Sequence, residues 1–265
     1  MSATGKVDVN GWPIWYEKFG SGPHVLLLIP GAIGTGRTDF DDQLFGEYAL
    51  NMNEFTIVAI ELPGWGRSRP PIRKLNNKIF ENDSECCVKL MESLGYNKFH
   101  VLGWSEGSRV ALVLSANYPN SVISMIAMAL PVYPTEQNTA NILKTRNIQN
   151  WGPELIGKYL KVYDSESEIQ ALWKRHMVFI SNFPDYFPKG VCNYKYDTIT
   201  CPVLIVHGDK DPLVQLEQPL HLMEKLKRAH LKRFPLGGHN VHVVYQQQFK
   251  QLVEDFFLEG KVSEN

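Results

Sequence analysis

Residues 99–114 read FHVLGWSEGSRVALVL, with a G-x-S-x-G sequence at Gly103–Gly107 between an apolar run and a stretch of helical character. A serine on a tight strand-to-helix turn has strained backbone angles, and flanking glycines let the strand and the helix approach closely. Such a turn exposes the hydroxyl of Ser105, and the new helix directs free N–H groups at a nearby oxyanion. A G-x-S-x-G match arises by chance in about one in ten chains of this length, so the rest of the sequence must support the interpretation.

Apolar runs and helical stretches alternate along most of the chain. Val7–Val9 and Ile14–Tyr16 flank Asn10-Gly11, which predicts a β-hairpin with a type I′ turn. Further strands are predicted at 25–29, 55–60, 99–102, within 122–130, at 203–206 and at 231–234. Helices are predicted at 77–94, 216–229 and 243–257. This order predicts an α/β fold with a mostly parallel central sheet and helices on both faces.

The segment 131–198 differs from the rest of the chain. It has prolines at 134, 153, 184 and 188, aromatic residues at helical spacing and no strong strand. We interpret 131–198 as a helical cap inserted into an α/β core formed by 1–130 and 199–265. Its aromatic residues either line a substrate pocket or pack in the interior, which is the usual role at helical spacing; they are Tyr133, Trp151, Tyr159, Trp173, Phe183, Tyr186 and Phe187.

A serine nucleophile needs a base that is held by an acid. The segment 206–212 follows a buried strand, and catalytic groups of open α/β sheets lie at the carboxyl ends of strands. Asp211, which precedes a proline, is the better candidate acid. Asp209 is the alternative, although we expect it to shape the turn.

The candidate base is His239, which follows a strand and two glycines that allow a loop to present its side chain inward. His242 is the rival, but it stands at the start of the last predicted helix, where a surface or packing role is expected. His207 ends a strand and is expected to be a buried structural residue. The order Ser105, Asp211, His239 is that of an α/β-hydrolase triad.

The loop Pro30–Gly34 follows the first buried strand, where this fold requires a second oxyanion donor. The N–H of Ala32, or alternatively that of Ile33, is expected to act together with the N–H of Glu106.

Composition narrows the function further. The 265 residues carry a net charge of −1, which gives no electrostatic basis for binding nucleic acid. The longest apolar run, Val25–Ile29, is too short to span a membrane. The four cysteines fit neither a metal site nor a disulfide framework, and Cys87 is expected to be the core member of the pair Cys86-Cys87. Residues 1–6 carry no targeting signal, which predicts a cytoplasmic protein, or a mitochondrial one if a transit peptide has been removed.

Several motifs resemble the valacyclovir hydrolase (biphenyl hydrolase-like) branch of the α/β-hydrolase superfamily. The similarity runs through nearly the whole chain and is weakest in the predicted cap. It is carried by Pro30-Gly31, Gly34, Gly36, Thr38-Asp39-Phe40 and Gln43-Leu44, and by the runs 64–71, 102–105 and 204–214. The resemblance implies hydrolysis of α-amino-acid esters without cofactor or metal, with Ser105, Asp211 and His239 as the triad.

The chain departs from the family pattern at two places. The family has an aspartate after the nucleophile, implicated in holding the substrate ammonium, whereas this chain has Glu106. A carboxylate beside the nucleophile pairs with a cation most strongly when desolvated, so we expect Glu106 to bind a substrate amine. The alternative is that Glu106 only complements the helix N-terminus. The second departure is Glu61-Leu62-Pro63, where the family usually has an aspartate and an arginine.

The sequence therefore predicts a serine hydrolase that cleaves small carboxylic esters, α-amino-acid esters above all, through an acyl-enzyme. The same triad also serves carbon–carbon bond hydrolases, lactonases, aminopeptidases and acyltransferases, because fold alone does not determine function. A slow-turnover ligand-binding protein on this fold is the alternative from another class. A dehalogenase or an epoxide hydrolase would need a carboxylate in place of Ser105.

Overall fold

A β-hairpin begins the part of the chain that the computed structural model describes, residues 3–192 and 195–262. Strands β1 (Ala3–Val9) and β2 (Trp12–Gly20) are joined by Asn10 and Gly11, whose φ angles are 53° and 79°. The predicted hairpin is therefore present. Residues 1–2 and 263–265 of the predicted core and 193–194 of the predicted cap lie outside the described residues.

Six further strands complete an eight-stranded sheet in the order β1-β2-β4-β3-β5-β6-β7-β8. Strand β2 runs antiparallel to β1 and to β4, and the remaining neighbours are parallel. The predicted α/β class with a mostly parallel sheet is confirmed. The strands are β3 (His24–Ile29), β4 (Phe55–Ile60), β5 (Phe99–Trp104), β6 (Val122–Met128), β7 (Val203–Gly208) and β8 (Ala229–Phe234).

Helices cover both faces of the sheet. The side chains of β3 alternate between two apolar clusters, with Leu27 packed in the cluster of α3 and α4 and Leu28 in that of α2 and α11. The helices are α1 (Gly36–Asp39), α2 (Asp41–Leu44), α3 (Ile79–Ser93), α4 (Glu106–Asn117), α5 (Glu136–Leu143), α6 (Pro153–Leu160), α7 (Glu166–Ser181), α8 (Phe183–Tyr186), α9 (Glu217–Lys225), α10 (Val241–Val244) and α11 (Gln246–Glu254).

The prediction of one helix over 243–257 is wrong. Helix α10 ends at Val244, α11 begins at Gln246, and a π-helix covers Asp255–Glu259. Between α10 and α11, Tyr245 has φ −113° and ψ 47°, which is outside the helical region, and its ring packs 5.0 Å from that of Phe234. A tertiary contact thus interrupts the single helix that the spacing of the apolar residues predicts.

All four cysteines are buried and unpaired. Cys87 is fully buried in the core, as expected, and its neighbour Cys86 is buried as well. Helix α3 contacts both α4 and β1, so two of its sides are covered.

The described part of the segment between β6 and β7 forms α5–α8 and two 3₁₀ turns, Ile148–Asn150 and Tyr196–Thr198, without a strand. Its aromatic side chains pack against one another and against the larger apolar cluster, as for the rings of Trp151 and Trp173, whose centroids are 5.0 Å apart. None of the helices in the described ranges combines the length and the hydropathy that a membrane span requires.

Candidate active site

Ser105 lies between β5 and α4 in a strained conformation. Its φ is 54° and its ψ is −116°, a combination that non-glycine residues avoid unless the surrounding structure enforces it. The amide of Ser105 donates to Met128 O (2.9 Å), and its carbonyl accepts from Ser108 N (3.1 Å). These bonds hold the turn, and the serine is half-buried at the carboxyl end of β5.

The two glycines of the turn are required by close backbone contacts. A Cβ on Gly103 would lie 2.4 Å from Gly107 O, and a Cβ on Gly107 would lie 2.2 Å from Ile29 O. Strand β5, helix α4 and the end of β3 can therefore meet only if both positions lack side chains.

The side chains of Ser105, His239 and Asp211 form one hydrogen-bonded chain. His239 Nε2 is 3.1 Å from Ser105 Oγ, and His239 Nδ1 is 2.7 Å from Asp211 Oδ2. Because an ionised carboxylate only accepts, Nδ1 carries the proton and Nε2 is left to accept from the serine hydroxyl. The three residues named from the sequence thus come together in the geometry of nucleophile, base and acid.

Asp211 is surrounded by donors. Burial alone would raise the pKa of its carboxyl, but the interaction with His239 and the amides of Leu213 and Val214 hold that pKa below the usual value. The two amides donate to Oδ1 over 2.8 Å and 3.0 Å. Asp211 therefore remains an anion that keeps the imidazole oriented.

The rival residues lie elsewhere. Both carboxylate oxygens of Asp209 accept from Arg233, each over 2.8 Å, so this carboxylate shapes the surface of the loop. His242 is buried with Nε2 2.8 Å from Asp39 O, and burial lowers the pKa of its ring to about 3. His207 is buried in β7, as expected of a structural residue.

The loop after β3 lies beside the serine turn, since Ile29 pairs with Gly103 in the parallel sheet. Among the described residues, no partner accepts from the amides of Ala32 and Ile33, and none accepts from the amide of Glu106 at the start of α4. These are the free N–H groups that an oxyanion site requires. Ile33 has a φ of 53°, which is unusual for a β-branched residue.

Two side chains that the sequence did not assign hold this loop. Asp39 accepts from Gly31 N over 2.8 Å, and the hydroxyl of Tyr163 donates to Ile33 O over 2.6 Å. Asp39 belongs to the family-like motif Thr38-Asp39-Phe40, which gives a signal for its importance but none for its role. Tyr163 lies between α6 and α7, outside every motif, and its contact is visible only in three dimensions.

Glu106 is a buried carboxylate that lies between an arginine and a histidine. Its Oε1 is 3.7 Å from Arg73 Nη2 and its Oε2 is 3.5 Å from His176 Nδ1. Burial lowers the pKa of His176 in spite of the carboxylate beside it, so the ring is neutral at pH 7. Arg73 also donates to Asp83, through Nη1 over 3.0 Å and through Nη2. Neither oxygen of Glu106 accepts a hydrogen bond from a described residue.

Trp104, the residue before the serine, contacts both the backbone and the ring of His239. Its Nε1 donates to His239 O over 3.1 Å, and its ring lies 5.3 Å from the His239 ring. Within the described ranges, no three His, Cys, Asp or Glu side chains are grouped so as to hold a metal ion.

Comparison with known proteins identifies the family. The alpha/beta hydrolase fold family matches residues 24–158. The chain is 36% identical to Serine hydrolase BPHL of Mus musculus over 95% of its own length and 85% of that protein, and 35% identical to the Homo sapiens protein over the same shares. The crystal structure of a hydrolase from Pseudomonas aeruginosa PA01 shares the fold, with a TM-score of 0.74 at 16% identity over 96% of this chain and 98% of that one. The resemblance expected from the sequence is confirmed, and the chain belongs to the α/β-hydrolase superfamily and, within it, to the biphenyl hydrolase-like branch of serine hydrolases.

Proposed function

We propose that this serine hydrolase cleaves small carboxylic esters, α-amino-acid esters above all, with Ser105 as nucleophile, His239 as base and Asp211 as the orienting acid. The observation that carries the proposal is the position of the His239 ring, which contacts Ser105 Oγ on one side and Asp211 Oδ2 on the other. A serine hydroxyl alone is a weak nucleophile at neutral pH, so a base within hydrogen-bonding distance of Ser105 Oγ supports nucleophilic catalysis.

In the first half of the reaction, Ser105 Oγ attacks the ester carbonyl carbon while its proton moves to His239 Nε2. The carbonyl oxygen becomes an oxyanion, which accepts hydrogen bonds from the amides of Glu106 and Ala32. When the intermediate collapses, the bond to the leaving alkoxy oxygen breaks, and that oxygen takes the proton from His239. An acyl group remains on Ser105.

In the second half, His239 removes a proton from a water whose oxygen attacks the acyl carbon. The bond to Ser105 Oγ then breaks, and the serine regains its proton from His239. The products are an acid and an alcohol, and no step requires a cofactor. Asp211 remains ionised throughout and stabilises the imidazolium that forms twice in each turnover.

We propose that the carboxylate of Glu106 binds the ammonium group of the substrate. A buried carboxylate whose oxygens accept no hydrogen bond is costly, and an ammonium donor would satisfy it. Arg73 offsets part of the charge but is also engaged by Asp83. The proposed occupant is therefore a primary amine close to the scissile carbonyl, as in an α-amino-acid ester.

We also propose that helices α5–α8 act as a cap that selects the acyl and alcohol groups, since 131–198 is inserted between β6 and β7. The four unpaired cysteines favour a reducing compartment, such as the cytoplasm or the mitochondrial matrix.

The test compares L-phenylalanine ethyl ester with its des-amino analogue, ethyl 3-phenylpropanoate, using the native protein, Ser105→Ala and Glu106→Gln. We expect the native protein to prefer the amino ester, and Ser105→Ala to hydrolyse neither ester. In Glu106→Gln, kcat/KM for the amino ester should fall by about tenfold or more, whereas that for the des-amino ester should change little.

Two outcomes would contradict parts of this proposal. Equal losses on both esters in Glu106→Gln would mean that Glu106 only balances Arg73. Absence of Ser105-dependent turnover, together with tight and saturable binding of an ester, would favour the ligand-binding alternative.

A further inference from the structure

The hydroxyl of Tyr163 joins two loops of the core to the segment between α6 and α7. It donates to Ile33 O over 2.6 Å and accepts from Gly66 N over 2.9 Å. The side chain is buried, and burial raises the pKa of its hydroxyl, which therefore stays protonated and able to donate. The hydroxyl thus donates one hydrogen bond and accepts another, both with backbone groups.

The tyrosine is itself held in place. Arg69 lies over its ring, with the guanidinium carbon 4.8 Å from the ring centroid, and donates through Nε to Gly66 O over 2.6 Å. Arg69 also forms an ion pair with Glu168 of α7. The loop around Gly66 and the segment before α7 are thus fixed around one phenol ring.

The carbonyl that accepts the hydrogen bond from Tyr163 belongs to Ile33, whose backbone conformation is strained. Ile33 is fully buried with φ at 53°, a conformation that persists only when its surroundings impose it. On one side, Gly34 N bonds back to Gly31 O, and Asp39 accepts from Gly31 N. On the other side, Tyr163 holds the Ile33 carbonyl, and this fixes the peptide plane between Ile33 and Gly34 and with it the backbone torsion at Ile33.

We propose that Tyr163 is a positioning residue for the oxyanion site: its hydroxyl fixes the Ile33 carbonyl and thereby the direction of the free amides of Ala32 and Ile33. The inference rests on the proposed function, because it assigns a role within the same site. Tyr163 touches no reacting atom and acts through the loop. It follows that the segment between α6 and α7 influences how well the tetrahedral intermediate is stabilised.

The experiment measures ester hydrolysis and the binding of phenylboronic acid in the native protein, in Tyr163→Phe and in Tyr196→Phe. A boronic acid forms a tetrahedral adduct with a nucleophilic serine and so reports on the oxyanion site without turnover. Tyr196 is the matched control, since it is also buried and its hydroxyl donates to a backbone carbonyl, that of Val191, over 3.4 Å. Ser105→Ala gives the background for boronate binding.

In Tyr163→Phe we expect kcat to fall by about ten- to a hundredfold with KM within about twofold of the native value, because a misdirected oxyanion donor affects the transition state and not substrate binding. Boronate affinity should fall by a comparable factor. Tyr196→Phe should keep both values within about twofold of native.

The proposal is overturned if Tyr163→Phe matches Tyr196→Phe in kcat and boronate affinity, whatever its melting temperature. It is also overturned if kcat falls while boronate affinity is unchanged, since the effect then lies outside the oxyanion site. Should Tyr163→Phe fail to fold, Arg69→Lys carries the test, because it removes the Nε bond to Gly66 and the flat contact with the ring. A parallel decrease of kcat and boronate affinity in Arg69→Lys supports the proposal, and native values of both contradict it.

Failure of the proposed function would look different. The native protein would then hydrolyse no ester in a Ser105-dependent way. The boronate affinities of Tyr163→Phe and Tyr196→Phe could still be compared, so the role of Tyr163 would be tested separately.

Discussion

Asp211 and Asp209 stand two positions apart and have separate roles in the structure. Asp211 accepts a hydrogen bond from His239, whereas Asp209 pairs with Arg233. We expect Asp211→Asn to lower kcat by about 10³- to 10⁴-fold, because an amide can no longer hold the correct imidazole tautomer or stabilise the imidazolium. Asp209→Asn is the control, with kcat near native and less than about 1 kcal/mol lost from the free energy of unfolding. Steady-state kinetics and urea unfolding of both variants measure these effects. Similar losses of kcat in the two variants would contradict the assignment of Asp211 as the orienting acid.

Asp39 is a buried carboxyl that should make stability depend on pH. Burial raises its pKa from 3.8 to about 7, against the hydrogen bonds from Thr38 and Gly31 that lower it. Between these two values the folded protein binds a proton more tightly than the unfolded chain, so the contribution of Asp39 is lost as pH rises from about 4 to about 7. Asp39→Asn has no carboxyl to titrate and so does not lose this stability. Relative to the native protein, its free energy of unfolding should therefore rise by up to about 4 kcal/mol between pH 4 and pH 7.

Urea unfolding at pH 4, 5, 6 and 7 measures the difference. Asp197→Asn is the control, because its side chain is 87% exposed, and its stability should follow the native pH profile. Parallel curves for Asp39→Asn and the native protein would show that Asp39 titrates normally.

At the scale of elements, the serine turn depends on how closely α4 approaches β3. In Gly107→Ala the new methyl would meet Ile29 O at 2.2 Å, so the helix or the strand must move. We expect a loss of about 1–3 kcal/mol in the free energy of unfolding and at least a tenfold lower kcat/KM, since the Ser105 hydroxyl moves with the turn.

Gly157→Ala is the matched control within α6, where a Cβ meets nothing within 4 Å. It should raise the free energy of unfolding by up to about 1 kcal/mol and leave kcat/KM unchanged. Thermal unfolding and ester hydrolysis of both variants test the pair, and a fully active Gly107→Ala would contradict this account of the turn.

The elements that carry the site could be predicted from the sequence because each is a local signal. A buried strand is an apolar run, and in a parallel sheet the loops after β3, β5, β7 and β8 meet at one edge. The contact of Tyr163 with Ile33 could not be predicted, since it joins positions 130 residues apart without a motif at Tyr163. The break at Tyr245 could not be predicted for the same reason, because only the packing on Phe234 reveals it.

At the scale of the whole molecule, the segment 131–198 meets the core around the candidate site. Tyr163 bonds to the loop after β3, Glu168 pairs with Arg69, and His176 lies beside Glu106. The first and third contacts reach the loop after β3 and the first residue of α4, and the second reaches the loop after β4. Changes in the segment are therefore expected to alter both the choice of substrate and the rate of turnover.

The central claim is that Ser105 forms the acyl-enzyme, and one measurement tests it directly. The native protein is mixed with p-nitrophenyl acetate, quenched within the first turnover, and digested for peptide mass spectrometry, with Ser105→Ala and His239→Ala in parallel. We predict an acetyl group on Ser105 in the native protein, none at this position in Ser105→Ala, and a strongly slowed appearance in His239→Ala. Turnover without acetyl on Ser105, or acetylation that is equally fast in His239→Ala, would contradict the account.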